Sequence, residues 1–254
     1  MITASPRLDI VIPVYNEGAN IVKTMQSIAR GVASPKRVLI CYDREDDDTL
    51  PAIRNDRDAI EGLVIDFVRN RGRGAHGAVL SGFAASKAPF VVVVPADDDY
   101  NAGILDTMVA RAETGYDVVS ASRFMPGGSM VGCPWLKAML VRAGNFTLYH
   151  FARLPTHDAS NGFRLFSRRA ISGIAVESNR GFCYSIELLV KCHRLGWRIG
   201  EVPARWTERT HGASRFQVLR WLPAYLRWYF YAFATTWLRR PPHTVRMTRP
   251  TPAT

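Results

Sequence analysis

Phe90-Val91-Val92-Val93-Val94-Pro95-Ala96-Asp97-Asp98-Asp99-Tyr100 is the stretch from which the fold is read. Its five apolar residues are too short a run for a helix and are rich in β-branched side chains, so they read as a buried strand. That strand delivers three carboxylates to its carboxyl end, which is costly at the edge of an apolar interior without a cation or N–H donors. Working outward, the chain alternates two periods. Leu8–Val14, Val38–Tyr42, Leu63–Val68 and Asp117–Ser122 read as further strands, with helices over about Glu17–Arg30, Thr49–Ile60, Ala75–Lys87 and Ala102–Thr114. The alternation predicts an α/β fold with a mostly parallel central sheet, helices on both faces, and ligands at the carboxyl ends of the strands.

Beyond Ser122 the pattern changes. A Gly/Pro-rich loop from Met125 to Pro134 leads into a helix from Leu136 to about Phe151. A polar loop at Thr156–Gly162, a helix near Tyr184–Leu195, a strand at Arg198–Val202 and a last helix over Phe216–Leu238 follow. The expected organisation is one catalytic domain over 1–238: a first half at 8–122, a second at 123–215 and a C-terminal helix at 216–238. A basic tail at 239–254 follows, expected to fray from Pro241 onward.

The 254 residues suffice for a sizeable core, and 47% apolar with 22% charged excludes disordered and low-complexity classes. The net charge of +11 is unusual. Between Arg205 and Thr254 stand nine arginines and one acid, Glu208, which favours an anionic partner. Cys41, Cys133, Cys183 and Cys192 form no CxxC pair and point to a reducing compartment. The N-terminus lacks the pattern of a signal peptide, and no run reaches the roughly 18 apolar residues of a membrane span. The chain is therefore expected in the cytoplasm, with its basic end free to touch a membrane.

Several strand ends carry candidate chemistry. Pro13-Val14-Tyr15-Asn16-Glu17 reads either as a site loop or as a turn with Asn16 capping a helix. In the acid run after Asp43, part reads as a solvated helix start. Arg69-Asn70-Arg71-Gly72-Arg73-Gly74 is either an anion cradle before a helix, with Arg71 as a phosphate ligand, or a basic surface loop. Asp97 and Asp99, one residue apart, make the better clamp for Mg²⁺ or Mn²⁺ carrying a diphosphate, with Asp98 pointing away. Capping before Ala102 is the plainer reading of the same residues. Arg123, ending the fifth strand, is either the ion-pair partner of that dicarboxylate or a phosphate ligand, and Lys137 joins it.

Ile12-Pro13-Val14-Tyr15-Asn16-Glu17, the Asp97/Asp99 pair and Ser122-Arg123-Phe124 together resemble the polyprenol-phosphate glycosyltransferases of glycosyltransferase family 2, the dolichol-phosphate mannosyltransferase type. Asp158-Ala159-Ser160-Asn161-Gly162-Phe163-Arg164, Gly200-Glu201-Val202-Pro203 and Arg209-Thr210-His211-Gly212-Ala213-Ser214-Arg215 extend the resemblance over about residues 8–238. It implies a GT-A fold and inverting transfer from a nucleotide-sugar donor to a polyprenyl phosphate. It implies that Pro13, Tyr15 and Glu17 line the nucleotide, Asp43 meets the base, and Asp97 and Asp99 hold the metal. Arg123 and Lys137 would grip the acceptor phosphate, and Arg209, Ser214 and Arg215 would lie on a loop closing over the donor phosphates. Pro95 stands where many relatives carry Asp. Tyr42-Asp43-Arg44-Glu45 replaces the usual Asp-Asp-x-Ser run, and the added charge of Arg71 and Arg73 fits an acidic donor sugar.

Transfer to a sugar hydroxyl needs a general base. Relatives that catalyse it carry Asp in a Glu-Asp-x-Glu-Leu pattern, where this chain has Tyr184-Ser185-Ile186-Glu187-Leu188. A lipid phosphate is already an anion near neutral pH, so Ser185 favours a phosphate acceptor, and Glu187 is expected to order a loop or pair with an Arg. The aromatic stretch Trp221–Trp237 suits a peripheral contact with the cytoplasmic face of a membrane, or packing on the domain or at a dimer interface. A soluble saccharide or protein acceptor is the competing reading. A nucleotidylyltransferase would open with a Gly-rich loop in place of Pro13–Glu17. No nucleic-acid partner is expected, because three aspartates at a strand end repel a phosphate backbone. The oligomeric state is left open.

Overall fold

The computed structural model describes residues 5–207 and 218–248. Its strands are β1 (Leu8–Pro13), β2 (Lys36–Tyr42), β3 (Val64–Arg69), β4 (Phe90–Val93), β5 (Val118–Ser122), β6 (Ser129–Val131), β7 (Arg164–Ser167), β8 (Ile199–Pro203) and β9 (Arg205–Thr207). Seven of them form one sheet in the order β3-β2-β1-β4-β7-β5-β8, and β6 pairs with β9 apart from it. Every pairing in the large sheet is parallel except those of β7, which runs antiparallel between β4 and β5. The expected α/β fold with a mostly parallel sheet is therefore what the chain adopts.

The helices are α1 (Gly18–Gly31), α2 (Thr49–Asn55), α3 (Gly74–Ala85), α4 (Leu105–Glu113), α5 (Trp135–His150), α6 (Arg168–Gly173), α7 (Cys183–Arg194) and α8 (Val218–Trp237). Strand side chains alternate between two cores, as the pleat requires. Leu8, Ile10 and Ile12 of β1 pack with Ile21, Met25 and Ile28 of α1 and Leu105 and Met108 of α4. Val11 of β1 and Leu39 of β2 face the other way, toward Val79 and Phe83 of α3 and Leu188 and Leu189 of α7. Helices thus cover both faces, which explains why the strands read as continuous apolar runs.

Three expectations are corrected. The helix foreseen over Thr49–Ile60 ends at Asn55, and a separate 3₁₀ turn covers Arg57–Ile60. β7 was not foreseen, because four residues beginning with an arginine carry no strand pattern, yet its neighbours bury it at the sheet centre. The tail does not fray from Pro241. Up to Thr248 it returns to the domain: Val245 is buried, Ala175 N–H donates to Arg246 O (3.0 Å) and Thr248 N–H to Gly173 O (2.8 Å).

The last helix is likewise neither free nor purely interfacial. One face of α8 packs on α7 through Trp228 and Ala232, both buried. Arg194 of α7 reaches across to Tyr231 O and Thr235 Oγ1. The opposite face leaves Phe230 and Trp237 exposed. No helix among the described residues is long and apolar enough to cross a membrane.

Arg164 is the interior cation on which the central strands meet. It lies in register with Val93 on one side and Ser120 on the other and is fully buried. Its guanidinium donates to Ser120 Oγ (2.9 Å), Ser185 O (2.8 Å), Ser185 Oγ (2.7 Å) and Asp158 O (3.1 Å). Burial lowers its pKa to about 10, so it stays charged at neutral pH. Arg164→Ala strands these acceptors and opens a void, and is expected to cost at least about 3 kcal/mol, read as a lower urea midpoint at unchanged m-value.

Candidate functional site

The carboxyl ends of β1, β2, β3, β4, β5 and β8 share one edge of the sheet, and because β7 is reversed, its amino end joins them. The loops holding nearly all the sequence candidates therefore converge there. They are held in place largely by carboxylates.

The loop after β1 depends on the acid run. Asp47, which is buried, accepts from Asn16 N–H with both carboxylate oxygens (3.1 Å). Thr49 Oγ1 accepts from Glu17 N–H (3.0 Å), and Asp48 from Gly18 N–H (2.9 Å). These groups, from the far end of the next crossover, cap the orphan N–H groups at the start of α1. The expected solvated helix start is thus a set of loop clamps, and Asn16, at φ 53°, is the clamped residue instead of a cap. The clamp holds Tyr15 outward, 48% exposed, and leaves Pro13 and Glu17 partly accessible, with Glu17 accepting from Asn20 Nδ2 (2.9 Å).

Asp43, after β2, braces the glycine-rich loop after β3. Its carboxylate accepts from Asn70 Nδ2 and from Gly74 N–H (3.1 Å). Asn70 Oδ1 in turn accepts from Gly72 N–H (2.8 Å), and Arg71 N–H donates to Ser81 Oγ (2.9 Å). A Cβ on Gly77 would lie 2.7 Å from Asn70 Oδ1, so glycine there is a packing requirement. The braced loop leaves Arg71 and Arg73 exposed at the amino end of α3. This geometry suits an anion, with guanidinium forks and a positive helix end together.

The turn after β4 separates its three carboxylates. Asp98 is buried and accepts from Asn101 N–H (2.9 Å) and Asn101 Nδ2 (2.7 Å). Asn101 is held by both backbone groups of Arg205 on β9. Burial pushes the Asp98 carboxyl up to about 6, against the Asn101 hydrogen bonds. Ala96 O is pinned by Thr24 Oγ1 of α1 (2.9 Å). Asp97 stands between these anchors, half-buried, and Asp99 is exposed in a shallow groove with Lys23 and Arg30 of α1. The turn buries Asp98 and leaves Asp97 half-buried and Asp99 exposed.

Asp97 and Asp99 are two hard oxygen donors on one rigid turn, which fits a divalent cation completing its shell with diphosphate oxygens and water. No group of three His, Cys, Asp or Glu side chains that could hold a metal occurs among the described residues.

Arg123 does not pair with that dicarboxylate. Its partner is Asp158, fully buried: Nε donates to Oδ2 (2.7 Å), Nη2 to Oδ1 (3.0 Å), and Nη2 also to Ser160 Oγ (2.8 Å). The fork is fixed, and Nη1, beside Met130 Sδ at 3.9 Å, is the remaining edge. A Cβ on Gly128 would lie 2.5 Å from Ser122 O, so this loop also depends on a bare glycine. Lys137, on the first turn of α5, sets its Nζ 5.8 Å from the Trp206 ring centre. Arg209, Ser214 and Arg215 lie outside the described residues.

Ser185 is buried with its hydroxyl and carbonyl both accepting from Arg164. Glu187, fully buried, accepts from Glu177 N–H (2.6 Å), Ser178 N–H (2.8 Å) and Lys191 Nζ (2.6 Å). It orders the 175–182 loop as expected, with a lysine as partner where an arginine was one option. Sequence reasoning missed Asn101, Asn145 and Ser160, whose roles depend on partners far away in the chain. For Ser160, the polar run Asp158–Asn161 was the one visible signal.

The family model described as Glycosyl transferase family 2 matches residues 9–174. A Mycobacterium tuberculosis protein named as an uncharacterized glycosyltransferase is 29% identical over 212 residues, covering 84% of this chain and 90% of that protein. The polyprenol monophosphomannose synthase of Mycolicibacterium smegmatis is 25% identical over 213 residues, covering 81% and 79%. Among solved structures, glucosyl-3-phosphoglycerate synthase from M. tuberculosis, in complex with Mn²⁺, uridine diphosphate and glucosyl-3-phosphoglycerate, superposes with a TM-score of 0.62. It is 19% identical, with 92% of this chain and 80% of that one covered.

His76, in the first turn of α3, is buried against Tyr184 with Nδ1 unpartnered, and burial lowers its pKa. Below pH 6.5 the unfolded chain binds a proton there that the native state refuses, so stability is lost as pH falls until the depressed native pKa is reached. The expected slope from this one group is at most about 1.4 kcal/mol per pH unit. Denaturation of the wild type and His76→Phe between pH 7.5 and about 5.5 should show a shallower acid loss in the variant.

Proposed function

The chain belongs to glycosyltransferase family 2 and has a GT-A type fold; from that premise we propose that it moves a sugar, with inversion, from a nucleoside-diphosphate donor to a polyprenyl phosphate. The observation that carries this reading is Ser185. Where an acceptor hydroxyl would require a carboxylate base, the chain holds a buried serine spent on Arg164. An acceptor that arrives as a phosphate anion has no proton to give up.

A phosphate oxygen of the acceptor attacks the anomeric carbon, the bond from that carbon to the donor diphosphate breaks, and the nucleoside diphosphate leaves with the electron pair. Asp97 and Asp99 would hold Mg²⁺ or Mn²⁺, which offsets the charge growing on the leaving diphosphate. The rest of the work is positioning. Arg123, its fork set by Asp158 and Ser160, directs Nη1 to the acceptor phosphate, and Lys137 adds a second positive charge. Pro13, Tyr15 and Glu17, on the clamped loop, border the nucleotide. Asp43 meets the base and holds the loop that presents Arg71 and Arg73 to the donor phosphates or an acidic sugar. By the family resemblance, Arg209, Ser214 and Arg215 would add contacts to the donor phosphates. The enzyme works on the cytoplasmic face of a membrane, where its acceptor resides. The name of the mycobacterial polyprenol synthase supports this acceptor, and the Mn²⁺ and uridine diphosphate in the structural neighbour support the metal and the donor class.

The test is a partition assay in which purified protein, a polyprenyl phosphate, labelled nucleotide sugars and Mg²⁺ or Mn²⁺ are mixed and label entering the organic phase is counted. Transfer from one donor, abolished by chelator, is the expected outcome. Asp97→Ala/Asp99→Ala should lower turnover by at least about a hundredfold with its unfolding midpoint unchanged. A folded double variant at wild-type rate would overturn the metal assignment. Label appearing only on a water-soluble acceptor such as phosphoglycerate would overturn the lipid acceptor.

A further inference from the structure

We infer that Glu201 and His157 are positioning residues for Arg123, holding from behind the loop against which that arginine is braced. Glu201 lies on β8 between Gly200 and Val202, both buried, and in register with Ser120 of β5. A carboxylate on such a strand is costly unless donors meet it. One short segment supplies them: Thr156 Oγ1 (3.0 Å) and His157 N–H (2.8 Å) donate to Oε2, and His157 Nδ1 meets Oε1. A carboxylate offers only acceptors, so Nδ1 is the nitrogen that holds the imidazole proton. Tyr149 of α5 keeps the ring in that orientation, stacked on it with centroids 3.9 Å apart and planes at 23°.

The link to the site runs through one hydroxyl. Thr156 is buried and has a single side-chain proton to give, which goes to Glu201. Its oxygen is thereby turned to accept from Asp158 N–H (3.2 Å). The Asp158 backbone is tied at its N–H to this cluster and at its carbonyl to Arg164. On the far side of the loop, Asn145 of α5 accepts from Ala159 N–H (2.7 Å) and donates to Ser160 Oγ (3.0 Å). Asp158, so held, receives Nε, Nη2 and the backbone N–H of Arg123.

A turn of Asp158 about its own backbone would therefore swing the whole guanidinium fork. Nη1, the edge assigned to the acceptor phosphate, would leave its place, and a misplacement of about 1 Å is enough to lose an attack geometry. This gives Gly200-Glu201-Val202-Pro203 a role on the acceptor side of the site. The effect on transfer rests on the acceptor reading above; the hold on Arg123 does not.

The first readout needs no acceptor: hydrogen exchange at Arg123 Nε–H in the full chain, followed by NMR and assigned with Arg123→Lys. Bonded to a buried carboxylate, this proton should be protected in the wild type. Glu201→Ala and His157→Ala should each speed its exchange by about tenfold or more. His157→Asn, whose amide nitrogen can donate where Nδ1 did, should restore protection to within about threefold of wild type. The second readout is transfer to a short-chain polyprenyl phosphate. Both alanine variants should raise KM for that acceptor by about tenfold and keep KM for the donor within about twofold. Added to Arg123→Ala, Glu201→Ala should cost nothing further, because it acts through the arginine. Should Glu201→Ala not fold, His157→Ala takes its place in both readouts. Exchange at Arg123 that ignores the folded alanine variants would overturn the proposal, as would a loss of equal size with and without Arg123. A wild type that transfers to no lipid phosphate while exchange responds as expected would remove the acceptor reading and leave the hold on Arg123 standing.

Discussion

A buried guanidinium organises the centre of this molecule. Arg164 occupies the middle of the sheet, where a charge is tolerated only if its donors are matched, and oxygens from β5, α7 and the 158–163 loop match them. That requirement places Ser185 against the sheet and fixes the backbone of Asp158. The Asp158 carboxylate then points to Arg123 at the sheet edge. The placement of Ser185 and the fixed pose of Arg123 are therefore two results of one constraint. A general base placed at 185 would sit directly against Arg164 and be consumed by it.

Most carboxylates at the sheet edge are spent on the fold. Asp47 and Asp48 cap α1, Asp43 braces the glycine loop, Asp98 holds the β4 turn through Asn101, and Asp158 holds Arg123. Each satisfies backbone N–H or guanidinium donors that would otherwise be orphaned near the sheet edge. Asp97 and Asp99 stand on a turn anchored from three sides. Rigid anchoring of this kind is what electrostatic catalysis needs, because donors and charges aligned in advance need no reorganisation during the reaction.

The same economy shapes the exterior. Neither α5 nor α8 contains an acidic residue, so both outer helices carry only basic charges. Lys191 beneath Trp228, paired with Glu177 and Glu187, fixes α8 to α7 from below, so its aromatic residues are sorted by packing into an inner and an outer set. Of the roles foreseen for its composition, packing on the domain is the one this face of α8 fills.

The sequence by itself determined the strand-helix alternation of residues 8–122, the family, and the separation of Asp98 from Asp97 and Asp99. These follow from local periodicity and from residue identity at a motif position, which do not depend on distant partners. Tertiary structure alone decided that β7 enters the sheet reversed, that Asp47 caps a helix thirty residues before it, and that Arg123 answers to Asp158. It alone decided that the tail folds back on Gly173 and Ala175. The physical reason is common to all of these. The burial of a charge or a helix face depends on groups brought together from far apart in the chain, and no local pattern records who those partners are.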